Sequence, residues 1–200
     1  MSETALSPVD VHKQAWTVVS RDILSWFLFF GAFFFAFVFT CGVGTVLIVN
    51  VLREARAAVE EGRGPRIGGL IQMDRIGADC VAVLLYIVPF WLGGASGGLL
   101  SAAIGIALVL FFPLVVEGRH DPIDCAKLSL RHVMKYPGEH ILFFFVSWIL
   151  GSVGSMFIIT IPIVFAMREV AQWLWYKRFR DELIEMAEAD GLRRIDSREF

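Results

Sequence analysis

Residues 23–52 read ILSWFLFFGAFFFAFVFTCGVGTVLIVNVL and carry no charge from end to end. About 20 apolar residues suffice to cross a bilayer as a helix, and a helix of a water-soluble protein is rarely apolar on every face. Further apolar runs follow at 81–92, 99–116 and 141–167. The pattern predicts an all-α integral membrane protein, a polytopic helical bundle that crosses the bilayer several times.

Composition points the same way. Of 200 residues, 56% are hydrophobic and 19% charged, and the charges are gathered into a few blocks, as immersion in lipid requires. A net charge of −2 gives no ground for nucleic-acid binding. The length fits one transmembrane domain over residues 1–200, with a polar segment at 1–22 and a cytoplasmic helix and tail at 177–200. Cys41, Cys80 and Cys125 are widely spaced and odd in number, so they signal neither a zinc site nor a disulfide framework. The first 22 residues lack the basic start and short apolar core of a secretory signal, and no cleavage is expected.

Charge balance decides the number of crossings. With one crossing per apolar run, Lys13, Arg21, Arg168, Lys177, Arg178, Arg180, Arg193, Arg194 and Arg198 fall on one side. Arg53, Arg56, Arg63, Arg66, Arg75, Arg119, Lys127, Arg131 and Lys135 fall on the other, nine against nine. Cytoplasmic loops should instead hold a clear excess of Lys and Arg. Two runs contain Gly turns, Cys-Gly-Val-Gly at 41–44 and Gly-Ser-Val-Gly-Ser at 151–155. If both lie at the outer face, six membrane helices result and all the cations share the cytoplasmic side with both termini. Six is therefore the expected count, with four transmembrane helices as the alternative. The six-helix reading requires helices over 45–59 and from 141 to Gly151 that are apolar for less than a full span; the latter is either re-entrant or begins near Tyr136.

Between the spans, Asp121 before Pro122 is a helix start, because Pro fits the first turn and Asp caps it. An interfacial amphipathic helix is expected at 122–136. Ile123, Ala126, Leu130, Val133 and Met134 are placed near one face, and Lys127, Arg131 and Lys135 are placed for anionic lipid headgroups. Gly94, Gly97, Gly98, Ser101 and Gly105 recur at helical spacing and are expected to let helices pack closely, within the chain or between copies. Arg168 and Glu169 lie before the aromatic belt Trp173, Trp175 and Tyr176; with Asn50 and Asp79 they form a candidate intramembrane polar cluster. Beyond the belt, Phe179, Leu183 and Met186/Ala187 form a stripe that needs a cover, and Gly191 is a natural helix cap. The eight Phe between Phe27 and Phe39 leave room for a bound lipid, quinone or carotenoid, but no cofactor is predicted.

The motifs of membrane chemistry are missing. His12, His120, His132 and His140 all lie in polar segments, whereas a haem between membrane helices needs axial His within the bilayer. There is no CxxCH, Walker lysine loop, HExxH or GxSxG, and no metal or catalytic residue can be named.

Three stretches carry a resemblance: GVGTVLIVNVLREARAAVEEGRGP (42–65), VLLYIVPF (83–90) and AKLSLRHVMKYPGEHILFFFVSWILGSVGSMFIITIP (126–162). Together they resemble small polytopic prokaryotic membrane-protein families of unknown function. Those families show a Gly turn, a helix ending in an Arg-rich segment, and an amphipathic helix with Ser and Lys; Ser129 and Lys135 occupy those places only approximately. The resemblance implies six helices in a prokaryotic inner membrane with a cytoplasmic C-terminus, and it transfers no catalytic residue. The expected role is a non-catalytic accessory subunit that scaffolds or anchors a membrane assembly, with other membrane-protein subunits or its own copies as partners. The alternative is a small transporter, channel or lipid-handling protein.

Overall fold

The computed structural model describes residues 7–39, 47–72, 74–95, 98–118 and 120–192, and among these there is no β-strand. The chain forms two compact units: Met1–Gln72 with Phe145–Arg178, and Met73–Phe144 with Phe179–Phe200.

The first unit opens with α1 (Pro8–Ser20), which lies in the segment read above as merely polar. Its start obeys capping rules: the Ser7 hydroxyl accepts the Asp10 N–H at 3.2 Å and Pro8 occupies the first turn. Val11, Ala15 and Val19 bury one stripe at four-residue spacing. A bend of 94° then leads into α2 (Ile23–Phe39). Asp22 begins α2 by accepting the Ser25 N–H at 3.1 Å. Trp26, Phe29, Phe30 and Phe33 are the buried face of α2, while Leu24, Leu28, Phe35, Val38 and Phe39 are exposed. The Phe-rich helix thus has an inner face, where Phe30 and Phe34 meet Phe165 at ring distances of 6.0 and 5.4 Å.

The expected outer turn at 41–44, including Cys41, lies outside the described residues. α3 (Ile48–Glu60) follows and is amphipathic, with Arg53, Glu54 and Arg56 interrupting its apolar residues. The second Gly turn is displaced. α8 (Pro137–Gly154) continues through Gly151, and α9 (Ile161–Ala189) starts after a 3₁₀ turn at Ile158–Thr160. Gly154 is the residue the turn needs, because a Cβ there would fall 2.1 Å from Val164 Cγ2. Starting after Tyr136 gives α8 18 residues rather than the 11 of its apolar core.

The second unit holds α4 (Ile76–Ala95), α5 (Leu99–Ala107), α6 (Phe111–Glu117) and α7 (Pro122–Lys135), with α4 packed along α5 and α7 against all three. The single helix expected over 99–116 is broken at 108–110. Pro113 has no N–H to offer Val109 and its ring crowds that carbonyl. Ser129 of α7 enters the gap, donating to the Ala107 carbonyl at 2.9 Å and accepting the Leu110 N–H at 3.3 Å. α7 matches its expected limits within a residue, and Asp121 accepts the N–H groups of Ile123 and Asp124 at 2.8 and 3.0 Å. α9 ends as expected at Gly191, whose φ of +64° suits Gly, and Leu192 N–H closes on the Ala187 carbonyl at 3.0 Å.

By length and composition, two described segments can cross a membrane: Leu99–Glu117, 19 residues, and Ile158–Ala189, 32 residues. Counting bent α1 and α2 as one span makes three. α2 alone has 17 described residues, about 25 Å at 1.5 Å per residue, and α3 has 13 with Arg53, Glu54 and Arg56 among them. A membrane-embedded helical protein therefore fits the described helices; their lengths alone do not reach six crossings.

Candidate functional site

The four residues expected to form one polar cluster play separate parts. Asn50 on α3 donates to the carbonyls of Leu70 and Gln72, both at 2.9 Å, and accepts from Arg53. It fastens a loop. Asp79, in the first turn of α4, is buried in the second unit, and its N–H bonds the Arg75 carbonyl at 3.0 Å. Arg168 is exposed, while its neighbour Glu169 is buried.

Glu169 is the residue of the four whose position has no structural explanation. It is 7% exposed and makes no hydrogen bond to any described residue. One turn before it, Phe165 meets the α2 aromatics; one turn after it, Trp173 lies under the Arg56 guanidinium at 5.2 Å. Trp173 Nε1 is also buried and has no partner among the described residues. Two polar groups of opposite hydrogen-bonding character, an acceptor and a donor, therefore lie a turn apart. Burying the indole N–H without a partner costs free energy, and an ionisable residue largely withdrawn from water on a candidate span is the kind that function retains.

Sequence reasoning missed Glu54, which sits one turn after Asn50 and is 4% exposed. It accepts from Arg63 Nη1 at 2.6 Å and from the Arg66 N–H at 2.9 Å. The Glu54 carboxylate holds the Arg63 guanidinium above its ordinary pKa. Gly69 must be glycine here, since a Cβ would lie 2.1 Å from Glu54 Oε1. The loop after α3 is thus a strap bound back onto it. Its signal was available: a Glu on the same helix face as Asn50, ahead of two loop arginines.

The histidines gain a detail that hydropathy does not give. They lie in polar stretches, yet His12, His132 and His140 are buried. His12 accepts or donates at both ring nitrogens, to the Pro8 carbonyl at 2.7 Å and to Ser147 Oγ at 2.9 Å. His132 Nδ1 and His140 Nε2 lie 2.9 Å apart, beside Glu182 and Phe179. Among the described residues no group of three or more His, Cys, Asp or Glu is placed to hold a metal ion.

The small residues divide. Gly94 faces Ser101 across the α4–α5 hairpin, where a Cβ would be 3.7 Å from the Ser101 oxygen, and Gly105 admits the Phe144 ring, whose nearest atom is 2.9 Å from a built Cβ. Gly98 is a turn residue with φ of +86°, and Gly97 lies outside the described residues.

On α7 the buried face is Cys125, Leu128, Ser129, His132 and Val133, so the face expected from Ile123, Ala126, Leu130, Val133 and Met134 is split. Ile123, Leu130 and Met134 point outward with Lys127, Arg131 and Lys135. All three cations have internal partners: Asp124 at 2.9 Å for Lys127, Asp190 for Arg131, and Glu182 at 2.6 Å for Lys135. The stripe Phe179, Leu183 and Ala187 on α9 is covered within the second unit.

No protein family, no curated protein and no solved structure matches the chain.

Proposed function

We propose that this protein is a non-catalytic integral membrane subunit that scaffolds or anchors a larger assembly. The observation that carries this reading is a set of large apolar side chains at the uncharged helix turns. In the second unit Trp91 and Leu99 are 75% and 84% exposed; in the first, Met156 and Ile158 are 76% and 86% exposed. Exposed apolar surface on this scale is covered by lipid or by another protein. Both turns are free of Lys and Arg, which suits the outer side of a six-helix arrangement with both termini in the cytoplasm. The outward Ile123, Leu130 and Met134, edged by Lys127 and Arg131, suit a helix lying on an anionic inner leaflet. The right angle between α1 and α2 likewise suits α1 in the membrane plane and α2 crossing it.

Two experiments test this. Extraction in mild detergent at native expression, followed by sizing, should give a particle larger than one chain; a bare monomer with no co-purifying protein overturns the subunit role. Reporter fusions after residues 118 and 200 should report the same compartment, and opposite compartments overturn six crossings.

A second reading, a small transporter, channel or lipid-handling protein, rests on Glu169. Flux or lipid scrambling by the purified protein in liposomes, lost in Glu169→Gln, would favour it over the subunit role.

A further inference from the structure

His132 on α7 and His140 near the start of α8 are both fully buried and share one hydrogen bond between Nδ1 and Nε2 at 2.9 Å. One proton lies on that axis, donated by one ring and accepted by the other. Phe179 of α9 closes over the pair, its ring 4.6 Å from His132 and 5.3 Å from His140. The second nitrogen of His132, Nε2, is buried 3.7 Å from Glu182 Oε2, too far for a hydrogen bond. Glu182 is instead engaged by Lys135 at 2.6 Å. Leu183 and Ala187 continue the buried face of the same helical segment.

We propose that the His132–His140 pair is an acid-released clasp, which holds residues 179–189 of α9 against α7 and α8 while both rings are neutral. The groups facing His132 are Lys135 and Tyr136 on its own helix, His140 on α8, and Glu182 on α9. Among the described residues of α4, α5 and α6, no charge acts on it. A proton added to His132 puts a cation into an apolar pocket beside the Lys135 ammonium, and its counter-charge among the described residues, Glu182, is already shared with Lys135. A proton on each ring would set two cations 2.9 Å apart.

Burial therefore holds the His132 pKa below its ordinary value, the attraction of Glu182 being the smaller influence. Near neutral pH neither the closed nor the open form carries the proton, and the clasp is intact. As pH falls below about 6.5, the ordinary His value, the open form takes up protons that the closed form resists. The closed form loses its advantage progressively, tenfold in the opening equilibrium for each unit by which closure depresses the pKa. Lys135–Glu182, Arg131–Asp190 and Arg180–Glu117 also hold this end of α9; the Lys135 ammonium is held above and the Glu182 carboxyl below its ordinary range, so that pair stays charged while the His pair loosens.

Hydrogen–deuterium exchange of the full-length protein in nanodiscs tests the clasp. Rates are compared at pH 7.5 and 5.0 after correction for intrinsic exchange chemistry, with α3 as the reference segment. Residues 179–189 should exchange severalfold faster at pH 5.0, with the change setting in below about pH 6.5, while α3 stays constant. His132→Gln, which cannot take the proton, should abolish the difference. The proposal is overturned if 179–189 respond no more than α3, or if His132→Gln retains the response. Should that variant not fold, the wild-type midpoint decides alone: one at or above pH 6.5 overturns it.

Discussion

The Ser129 hydroxyl accepts the backbone N–H of Leu110, an N–H that a continuous helix would have bonded within itself. The same oxygen donates to the Ala107 carbonyl at 2.9 Å, so one side chain of α7 satisfies both sides of the α5–α6 break. Ser129 is fully buried. Ser129→Ala leaves a donor and an acceptor without partners in an apolar site, and should cost about 1–3 kcal/mol. Thermal unfolding in detergent, read by intrinsic Trp fluorescence, should show a lowered midpoint; an unchanged one would mean that water or a backbone shift replaces the hydroxyl.

The strap over α3 rests on Glu54. Removing one partner of a buried ion pair leaves the other charged and uncompensated, at about 3–5 kcal/mol when both are fully buried. Arg63 keeps 23% of its side chain exposed, so Glu54→Ala and Arg63→Ala should each fall at the low end of that range or below it. The double variant should cost clearly less than the sum of the two, which a double-mutant cycle measures. Additivity would show that Glu54 and Arg63 stabilise the loop independently of each other.

These two sites show what was legible in the sequence. The helices with strong local signals were readable: Asp121-Pro122 sets the start of α7, Gly191 the end of α9, and the apolar run 81–92 falls inside α4. Positions set by partners distant in sequence were not. Ser129 reads as an ordinary polar residue until α5 breaks beside it, although Pro113 marked that break. Asn50 and Glu169 looked alike as polar residues in apolar company, yet Asn50 has two carbonyl partners 20 and 22 residues away and Glu169 has no hydrogen-bond partner among the described residues. Hydropathy finds such residues without saying which is satisfied. The burial of the histidines was not legible for the same reason, since a polar stretch fixes where the chain leaves lipid and not which way a ring points.

Cys125 provides a direct check on the packing of α7. It is fully buried, and burial, helped by the nearby Asp121 and Asp124 carboxylates, pushes its thiol up to about 12. The thiolate is the reactive form, so at pH 7–8 the folded protein should protect this residue from both sides, by access and by protonation. In a Cys41→Ser/Cys80→Ser background, maleimide should fail to label the native protein and should label it fully after denaturation. Rapid native labelling would mean that α7 is not docked on α4, α5 and α6 as described.

Glu169 allows stability and function to be set against each other. Its carboxyl occupies a buried position with no hydrogen bond to any described residue, so the folded chain bears the cost of removing it from water. If that cost serves no purpose, natural sequence drift toward an apolar residue would be favourable, and Glu169→Leu should stabilise by up to about 1–3 kcal/mol, the cost of burying one polar group without a partner. For a chain of this size each kcal/mol moves the midpoint by roughly 2–4 °C. The subunit reading expects the stabilised variant to keep its full complement of co-purifying protein. The transport reading expects the same rise in midpoint together with loss of liposome flux, because the carboxyl is then retained for what it binds. A lowered midpoint would contradict the premise common to both, showing that Glu169 is satisfied in the native protein by a lipid, a water or another chain.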